Sequence, residues 1–439
     1  MKPTPSLCAL LSVCTVLAAC GGGGGGSGST ATASGASAPA GTASAPVAST
    51  PPAVSSPSST SVPQSNTPNV QPIVVHAAPR LTRNMLTTSV TVCQPGTDNC
   101  ATIDNIQVDT GSHGLRIVAS ALPATLPLNA VPSGSGVSGG VSGGISGGVS
   151  GGISGECAVF GSGYAWGAVR SADVRMAGQL AASIPIHLIA DPSVPSVPAD
   201  CAASGPSMLT VDTLRANGIL GVGVFAADCG GACANAALPR WYYNCDASGA
   251  CQASAQPLAQ QVANPVSRFA LDNNGVVIDL PAIPDGGALT VSGSMIFGID
   301  TQANNTLGSA GVLKGNSQTG YVSTTHNGQT FSQSYLDTGS NGLFYRDTQL
   351  PQCGLWYCPS STQAASASIA GTNGASNTVT FTIGNSRALF ASGNNAFNNI
   401  AGAAASGFDW GLPFFFGRRV YTAIASRATS AGPGPYYAF

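Results

Sequence analysis

Apolar and polar residues alternate along several segments of the chain, and this period is typical of a β-strand with one buried face. The clearest examples are segments 89–93, 102–108, 183–190, 289–297, 329–336 and 377–383. Helical periodicity is weak, and only short helical turns are expected, near 257–262 and after Gly411. The 57 glycines and 30 prolines also favour strands and turns over helices. The sequence therefore predicts a mostly β fold.

Two of the predicted strands end in the same motif. Residues 108–115 read Val-Asp-Thr-Gly-Ser-His-Gly-Leu, and residues 336–343 read Leu-Asp-Thr-Gly-Ser-Asn-Gly-Leu. Turn signals at 95–99 and 326–328 precede them, so each motif follows a predicted hairpin. One Asp-Thr-Gly is a common turn sequence, and a purely structural role for both copies is the alternative. Two matched copies, one in each half, indicate a joint function.

The chemistry of the motif depends on its aspartates. If the two halves are related by pseudo-symmetry, Asp109 and Asp337 meet as a carboxylate dyad. Two carboxylates about 3 Å apart cannot both ionise easily, so they share a proton and titrate as a pair. One then acts as a general base on a bound water while the other donates a proton to a substrate carbonyl. Such a dyad hydrolyses an amide without a metal, a cofactor or a covalent intermediate.

The residues beside the aspartates suit this role. The glycines allow the two backbones to approach, the threonines can hydrogen-bond across the pair, and the serines can hold the outer carboxylate oxygens. The predicted supporting residues are Thr110, Gly111, Ser112, Thr338, Gly339 and Ser340. His113 follows the first serine, and we interpret it as a solvated loop residue rather than an acid or base.

Charge excludes several other classes of function. Only 7% of residues are charged, the net charge is -2, lysine occurs only at positions 2 and 314, and glutamate occurs only at 156. Nothing here indicates a nucleic-acid surface or a polybasic membrane patch. The histidines show no metal-ligand spacing, so no metal site is predicted.

Ten of the thirteen cysteines follow residue 20, and their spacing is mostly local. In an exported protein this even number favours five disulfides, although the sequence does not fix their connectivity. The pairs suggested are Cys93 with Cys100, Cys157 with Cys201, Cys229 with Cys233, Cys245 with Cys251, and Cys353 with Cys358. Zinc binding at Cys229 and Cys233 is the alternative, but no second pair with zinc-ligand spacing lies nearby.

The N-terminus predicts export. Lys2 is followed by an apolar stretch at 7–17 that is too short to span a bilayer. Leu-Ala-Ala-Cys at 17–20 resembles the lipobox of bacterial lipoproteins, which implies a signal peptide at 1–19 and membrane anchoring through lipid on Cys20. An ordinary secretory signal is the alternative. By analogy with sorting in Gram-negative bacteria, Gly21 suggests the outer membrane.

Two low-complexity tracts are expected to be flexible. Residues 20–71 are rich in Gly, Ser, Pro and Thr and read as a disordered tether. Residues 134–155 repeat Val-Ser-Gly-Gly and Ile-Ser-Gly-Gly, which predicts an expanded loop. Residues 136–140 also match Gly-x-Ser-x-Gly, but the strand and helix that a serine-hydrolase elbow requires are missing from the pattern.

Together these motifs resemble a known family. Residues 109–115, 160–163 with Gly167, 218–221 and 294–300 occur in the order found in pepsin-type aspartic peptidases. Within that class the chain is similar to uncharacterised proteobacterial lipoproteins that carry a domain of unknown function. The resemblance implies a bilobal pepsin-like β-barrel architecture with pseudo-two-fold symmetry, with lobes at 72–275 and 276–439. It also implies a monomer without cofactors that binds a peptide or protein substrate.

The resemblance also assigns a flap, the hairpin at Phe160, Gly161 and Tyr164 that closes over substrate. Here the sequence departs from the family: Phe160 replaces the usual Tyr, and Arg116 replaces the Trp that partners it. Asp409 and Trp410 stand before Gly411 in place of two aliphatic residues. Our first hypothesis is a lipid-anchored aspartic endopeptidase. The alternative is a non-catalytic lipoprotein that binds a peptide or protein in the same cleft.

Overall fold

The computed structural model describes residues 68–77, 82–134 and 152–439. In these residues the mostly β prediction is confirmed, with one sheet of 16 strands and one of nine. The strands are β1 (Val70–Val75), β2 (Leu86–Cys93), β3 (Cys100–Asp109), β4 (His113–Val118), β5 (Asn129–Ala130), β6 (Ile153–Phe160), β7 (Gly163–Met176), β8 (Gln179–Ile189), β9 (Gly218–Val222), β10 (Tyr242–Cys245), β11 (Cys251–Ala253), β12 (Gly275–Leu280), β13 (Val291–Phe297), β14 (Val312–Lys314), β15 (Val322–His326), β16 (Gln329–Leu336), β17 (Leu343–Tyr345), β18 (Gln352–Cys353), β19 (Trp356–Tyr357), β20 (Gln363–Ala370), β21 (Ser376–Ile383), β22 (Ala401–Ala403), β23 (Phe408–Trp410), β24 (Arg418–Ala423) and β25 (Tyr436–Ala438). The α-helices are α1 (Ala199–Ala202), α2 (Val211–Leu214), α3 (Gly231–Asn235) and α4 (Ser386–Ala391), and 3-10 turns occur at Ala119–Ala121, Leu258–Gln260, Pro265–Arg268, Ala303–Asn305 and Leu412–Phe414.

Six strands of the larger sheet close into a barrel in the order β7, β8, β4, β9, β3, β2, with β2 pairing back to β7. Asp109 ends β3, and the first Asp-Thr-Gly-Ser loop connects it to β4. Strand β9 lies between these two strands, parallel to β3 and antiparallel to β4. A Cβ on Gly221 would lie 2.6 Å from the backbone of His113. Glycine is therefore needed where β9 passes the loop.

The larger sheet continues from the barrel through β1, β13, β12, β24, β25 and β14. Strand β1 begins at Val70, two residues inside the predicted tether, and pairs along its length with β13. The predicted boundary between lobes falls at the start of β12. The aromatic C-terminus forms β25 between β24 and β14, so it packs on the body of the protein.

The second sheet forms a half-barrel in the order β18, β19, β22, β17, β23, β16, β15, β20, β21. Strand β16 leads into the second Asp-Thr-Gly-Ser loop, and β23 runs parallel beside it. Phe408 of β23 stacks between Tyr345 and Trp410, with ring centroids 4.5 and 4.4 Å away. This aromatic stack belongs to the apolar core on one face of the half-barrel.

All five suggested disulfides are present, with sulfur separations of 1.88–2.05 Å. The zinc alternative is therefore wrong, because Cys229 and Cys233 are bonded to each other. The prediction of a flexible loop over 134–155 is wrong at its C-terminal end. Ile153 and Ser154 begin β6 and pair with β10.

The signal peptide, Cys20, most of the predicted tether and residues 135–151 lie outside the described residues. In the part that the structure does describe, no helix has the length and hydropathy that crossing a membrane would require.

Candidate active site

The two Asp-Thr-Gly-Ser loops meet at the centre of the molecule. Asp109 ends β3 in the barrel, and Asp337 directly follows β16 in the half-barrel. Their side chains are almost completely buried, with residue exposures of 1% and 0%. The sequence-predicted aspartates are thus brought together from two different sheets.

The threonines lock the loops to each other. The N–H of Thr110 donates to the Thr338 hydroxyl at 3.1 Å, and the N–H of Thr338 donates to the Thr110 hydroxyl at 3.0 Å. Each hydroxyl in turn donates to a carbonyl of the opposite strand, Thr110 to Leu336 at 2.9 Å and Thr338 to Val108 at 2.7 Å. This reciprocal set of four hydrogen bonds fixes the separation and orientation of the two loops.

Each aspartate is held by donors of its own loop. Oδ1 of Asp109 accepts from the N–H groups of Gly111 and Ser112, and its Oδ2 accepts from the Ser112 hydroxyl at 2.6 Å. Asp337 repeats the pattern, since Gly339 N–H donates to Oδ1 at 2.7 Å and the Ser340 hydroxyl donates to Oδ2 at 2.8 Å. The serines thus hold the outer carboxylate oxygens as predicted from the sequence.

The carboxyl group of each aspartate lies against the glycine of the opposite loop. A Cβ on Gly111 would lie 2.6 Å from Cγ of Asp337, and a Cβ on Gly339 would lie 2.6 Å from Cγ of Asp109. Each glycine therefore lies directly against the opposite carboxyl. Burial, the charge of Asp109 and that of a third carboxyl, Asp409, raise the pKa of Asp337 well above its usual range. Asp337 therefore keeps a proton at pH values where an exposed carboxyl would lose it.

The hairpin assigned as a flap is present, but its tip is tied to the barrel. Phe160 pairs with Gly163 across the turn, and Gly161 is exposed. The Phe160 side chain is 5% exposed and belongs to an apolar cluster of the barrel, and Tyr164 belongs to a second one. Backbone bonds join Tyr164 to Pro206 and Met208 at 2.9 and 2.8 Å. Closure of this hairpin over a substrate stays a prediction.

Arg116 forms a buried ionic network that the sequence did not reveal. Its guanidinium lies 2.5 Å from Oε1 of Glu156 and 3.2 Å from Oδ2 of Asp228, and it donates to the His113 carbonyl at 2.7 Å. It also lies 5.7 Å from the centroid of the Phe160 ring. Arg116 thus connects the first aspartate loop to strand β6 of the hairpin.

Burial, the neighbouring charge of Glu156 and a hydrogen bond to Glu156 raise the pKa of Asp228 well above its usual range. Asp228 therefore tends to hold its proton, which leaves the charge of Arg116 balanced chiefly by Glu156. Partners 40 and 112 positions apart in the chain carry no local sequence signal. The one available hint is that a chain in which only 7% of residues are charged has its sole glutamate at position 156.

His113, interpreted from the sequence as a solvated loop residue, begins β4 and is only partly exposed. Its ring packs on Phe225 with centroids 5.2 Å apart, and its Nε2 is buried without a hydrogen bond among the described residues. Burial, with a smaller contribution from the charge of Arg116, lowers its pKa to about 3. His113 is therefore neutral at ordinary pH and serves as part of the packing beneath the loop.

The fold and site define a mostly β protein in which two Asp-Thr-Gly-Ser loops from separate sheets meet through a carboxyl pair. Residues 65–439 match the family described as Protein of unknown function (DUF3443), and the chain belongs to that family. The similarity to an uncharacterised family that the sequence motifs indicated is thereby confirmed. No curated protein matches the chain.

Proposed function

We propose that this protein is an aspartic endopeptidase of bilobal pepsin-like architecture. The observation that carries the proposal is the juxtaposition of the two loops, which are locked together through Thr110 and Thr338 and place each aspartate carboxyl against the opposite loop. Two contacting carboxyls that share a proton suit hydrolysis by an activated water, since one can accept a proton while the other donates one.

The two aspartates take different roles in the proposed reaction. Asp109 acts as the general base toward a water bound between the carboxyls. Asp337, whose pKa is raised by burial and by neighbouring carboxyls, donates its proton to the oxygen of the scissile carbonyl. The water oxygen bonds to the carbonyl carbon as Asp109 takes up the water proton. The C–N bond of the tetrahedral intermediate then breaks, the amine nitrogen takes that proton from Asp109, and a hydroxyl of the intermediate returns a proton to Asp337 as the new carboxylic acid forms.

The test is cleavage of a peptide library by the purified protein between about pH 3 and pH 7, with products identified by mass spectrometry. Asp337→Asn should reduce kcat/KM by about 10²- to 10⁴-fold, because it removes a proton donor from the reaction. The matched control is Asp279→Asn, which changes a partly exposed aspartate paired with Arg419 and should retain activity. Equal cleavage by wild type and Asp337→Asn would contradict the proposal.

A second candidate function is peptide or protein binding without turnover. Phe160 favours this candidate for two reasons. Its side chain is buried in an apolar cluster, and it has no hydroxyl that could join the water network of a peptidase flap. Calorimetry with library peptides that bind but are not cleaved would support this candidate. Turnover that pepstatin inhibits would contradict it.

The proposal also includes anchoring in the bacterial cell envelope, in the outer membrane, through lipid on Cys20, with the protein acting as a monomer. The five disulfides support an oxidising compartment of this kind. Metabolic labelling with a radioactive fatty acid should mark the wild type but not Cys20→Ala. Equal labelling of both would contradict lipidation at this residue.

A further inference from the structure

A third carboxyl lies on the same face of the half-barrel as Asp337. Asp409 is the middle residue of β23 and pairs in register with Tyr335 of β16 and Phe344 of β17. Its neighbours Phe408 and Trp410 point into the apolar core, so Asp409 points to the opposite face. By the same alternation Leu336 is in the core, and Tyr335 and Asp337 share the face of Asp409. The N–H of Asp337 donates to the Trp410 carbonyl at 3.0 Å, which joins the two strands at this point.

The Asp409 carboxyl is buried, and the residue is 4% exposed. Among the described residues it has no ion pair, and neither carboxyl oxygen has a hydrogen bond of ordinary geometry. The hydroxyl of Ser340, which donates to Asp337, lies close enough to act on the pKa of Asp409. A carboxylate in such a place would be costly, because burial without a cation or donor disfavours its charge.

The titratable groups around Asp409 are acidic. They are Asp109 and Asp337 of the two loops, Tyr335 of β16, and Tyr437 of β25. Burial first, and then the charge of Asp109, raise the pKa of Asp409 well above its usual range, while the Ser340 hydroxyl acts in the opposite direction. Asp409 in turn contributes to the raised pKa of Asp337. Asp109, Asp337 and Asp409 therefore form a cluster of three buried carboxyls.

We propose that Asp409, a third buried carboxyl on the face of the half-barrel that carries Asp337, is a positioning residue of the dyad: once Asp409 is ionised, its negative charge keeps the pair singly protonated up to a higher pH than two aspartates alone would allow. The inference rests on the proposed peptidase function. As the pH rises, Asp409 can release a proton while the dyad retains its own. When the dyad then loses its last proton, the new negative charge forms beside two others, the ionised partner aspartate and Asp409. These charges oppose the loss of the proton and shift it to a higher pH.

The first test is the pH profile of kcat/KM for wild type and Asp409→Asn. The variant keeps the shape of the side chain but neither titrates nor carries charge. We expect the upper limb of the profile to move down by on the order of one pH unit, with the plateau within about threefold of wild type. An unchanged upper limb would overturn the proposal.

Asp191→Asn is the matched control, because Asp191 is equally buried at 2% but is paired with Arg170 at 2.6 Å. Its profile should follow that of wild type. If Asp409→Asn does not fold, Asp409→Thr supplies a neutral residue suited to a central strand, with the same expected shift. A shift produced equally by the Asp191 control would also overturn the proposal, because it would reflect general loosening of the fold.

The second test does not depend on catalysis. Since burial raises the pKa of Asp409, the native state still holds a proton over a range of pH in which the unfolded chain has already lost it, so stability falls as the pH rises through that range. Asp409→Asn should therefore gain thermal stability over wild type at about pH 7.5 and lose that gain near pH 4. Asp191 behaves oppositely, because hydrogen bonds from Arg170 and Ser193 outweigh burial and lower its pKa. Asp191→Asn should thus be most destabilising at neutral pH.

These two tests separate the proposals. If no peptide is cleaved under any condition, the peptidase function fails, while the stability comparison still tests Asp409. If wild type cleaves peptides but Asp409→Asn changes neither the upper limb nor the pH dependence of unfolding, the role of Asp409 fails alone.

Discussion

The two aspartate loops are nearly identical in their own hydrogen bonds but rest on different supports. Behind the first loop, Arg116 is placed between Glu156 and Asp228 and donates to the loop backbone. Behind the second loop lie an aromatic stack and the unpaired carboxyl of Asp409. The first loop is therefore backed by a cation paired with carboxylates, whereas the second loop is backed by a carboxyl without a paired cation among the described residues.

This difference gives the second aspartate a neighbour that the motif itself does not supply. The local geometry of the motif is repeated so closely that it cannot distinguish the two aspartates. Burial and the charges of Asp109 and Asp409 raise the pKa of Asp337. Of these two carboxyls, only Asp409 lies in the same sheet as the strand that leads to Asp337. In the proposed reaction, the residues packed behind the second loop, and not the motif itself, therefore favour Asp337 as the acid.

Of the variants that test this difference between the loops, Arg116→Met should have the largest effect, a loss of folding stability. Removing the cation leaves Glu156 buried with its charge unbalanced, which should destabilise the fold by about 3–5 kcal/mol. Urea unfolding at neutral pH measures the loss. Arg419→Met is the control, because its pair with Asp279 is partly exposed and should be worth about 1 kcal/mol or less.

Arg116→Met combined with Glu156→Gln should recover part of this stability, since no unbalanced carboxylate then remains. A double variant that is no more stable than Arg116→Met alone would show that the network stabilises the first loop by packing and not by charge balance.

This network marks the limit of what the sequence could predict. Strands with alternating residues, the paired motif and the locally spaced cysteines were predictable, because each depends on neighbours in the chain. The network of Arg116 was not, since Glu156 and Asp228 come from distant segments that meet only when the barrel closes. Asp409 stood out only as an acid in place of an aliphatic residue, and its register beside Asp337 required the parallel pairing of β16 and β23.

The next largest effect should come from Gly111→Ala and Gly339→Ala. In either variant the new Cβ would lie 2.6 Å from the opposite carboxyl carbon, so that carboxyl must move. A displaced reacting group should lower kcat by about 10²-fold in each variant, while the protein still folds. Gly286→Ala is the control, because a Cβ there meets no atom within 4 Å. A fall in kcat for only one of the two loop variants would disprove their equivalence.

Removing the cross-loop hydroxyls should cost less. Thr110→Val and Thr338→Val each leave a backbone N–H and a carbonyl of the opposite loop without their partner. We expect a loss of about 1–3 kcal/mol for each variant by urea unfolding. Because the hydroxyls bond reciprocally, the double variant should lose less than the sum of the single losses. Strict additivity would show that the two loops are held together by other contacts.

The smallest expected effect is a difference in acid response between the loops. His113 is neutral in the folded protein, and burial with the charge of Arg116 lowers its pKa to about 3. The unfolded chain binds a proton at this residue below about pH 6.5, so the first loop loses stability as the pH falls from there toward about 3. The second loop responds in the opposite direction, because its buried carboxyls become easier to accommodate once protonated.

His113→Asn makes the loops match, since Asn341 holds the corresponding position. The variant should reduce the acid-dependent loss by on the order of 1 kcal/mol, measured by unfolding at about pH 7.5 and about pH 4. A stability difference from wild type that is the same at both pH values would mean that His113 contributes by packing on Phe225 and not by its charge. A difference seen only at about pH 4 would mean that His113 of the first loop determines the lower pH limit of folding. The upper pH limit of the proposed reaction would then be determined by the carboxyls of the second loop.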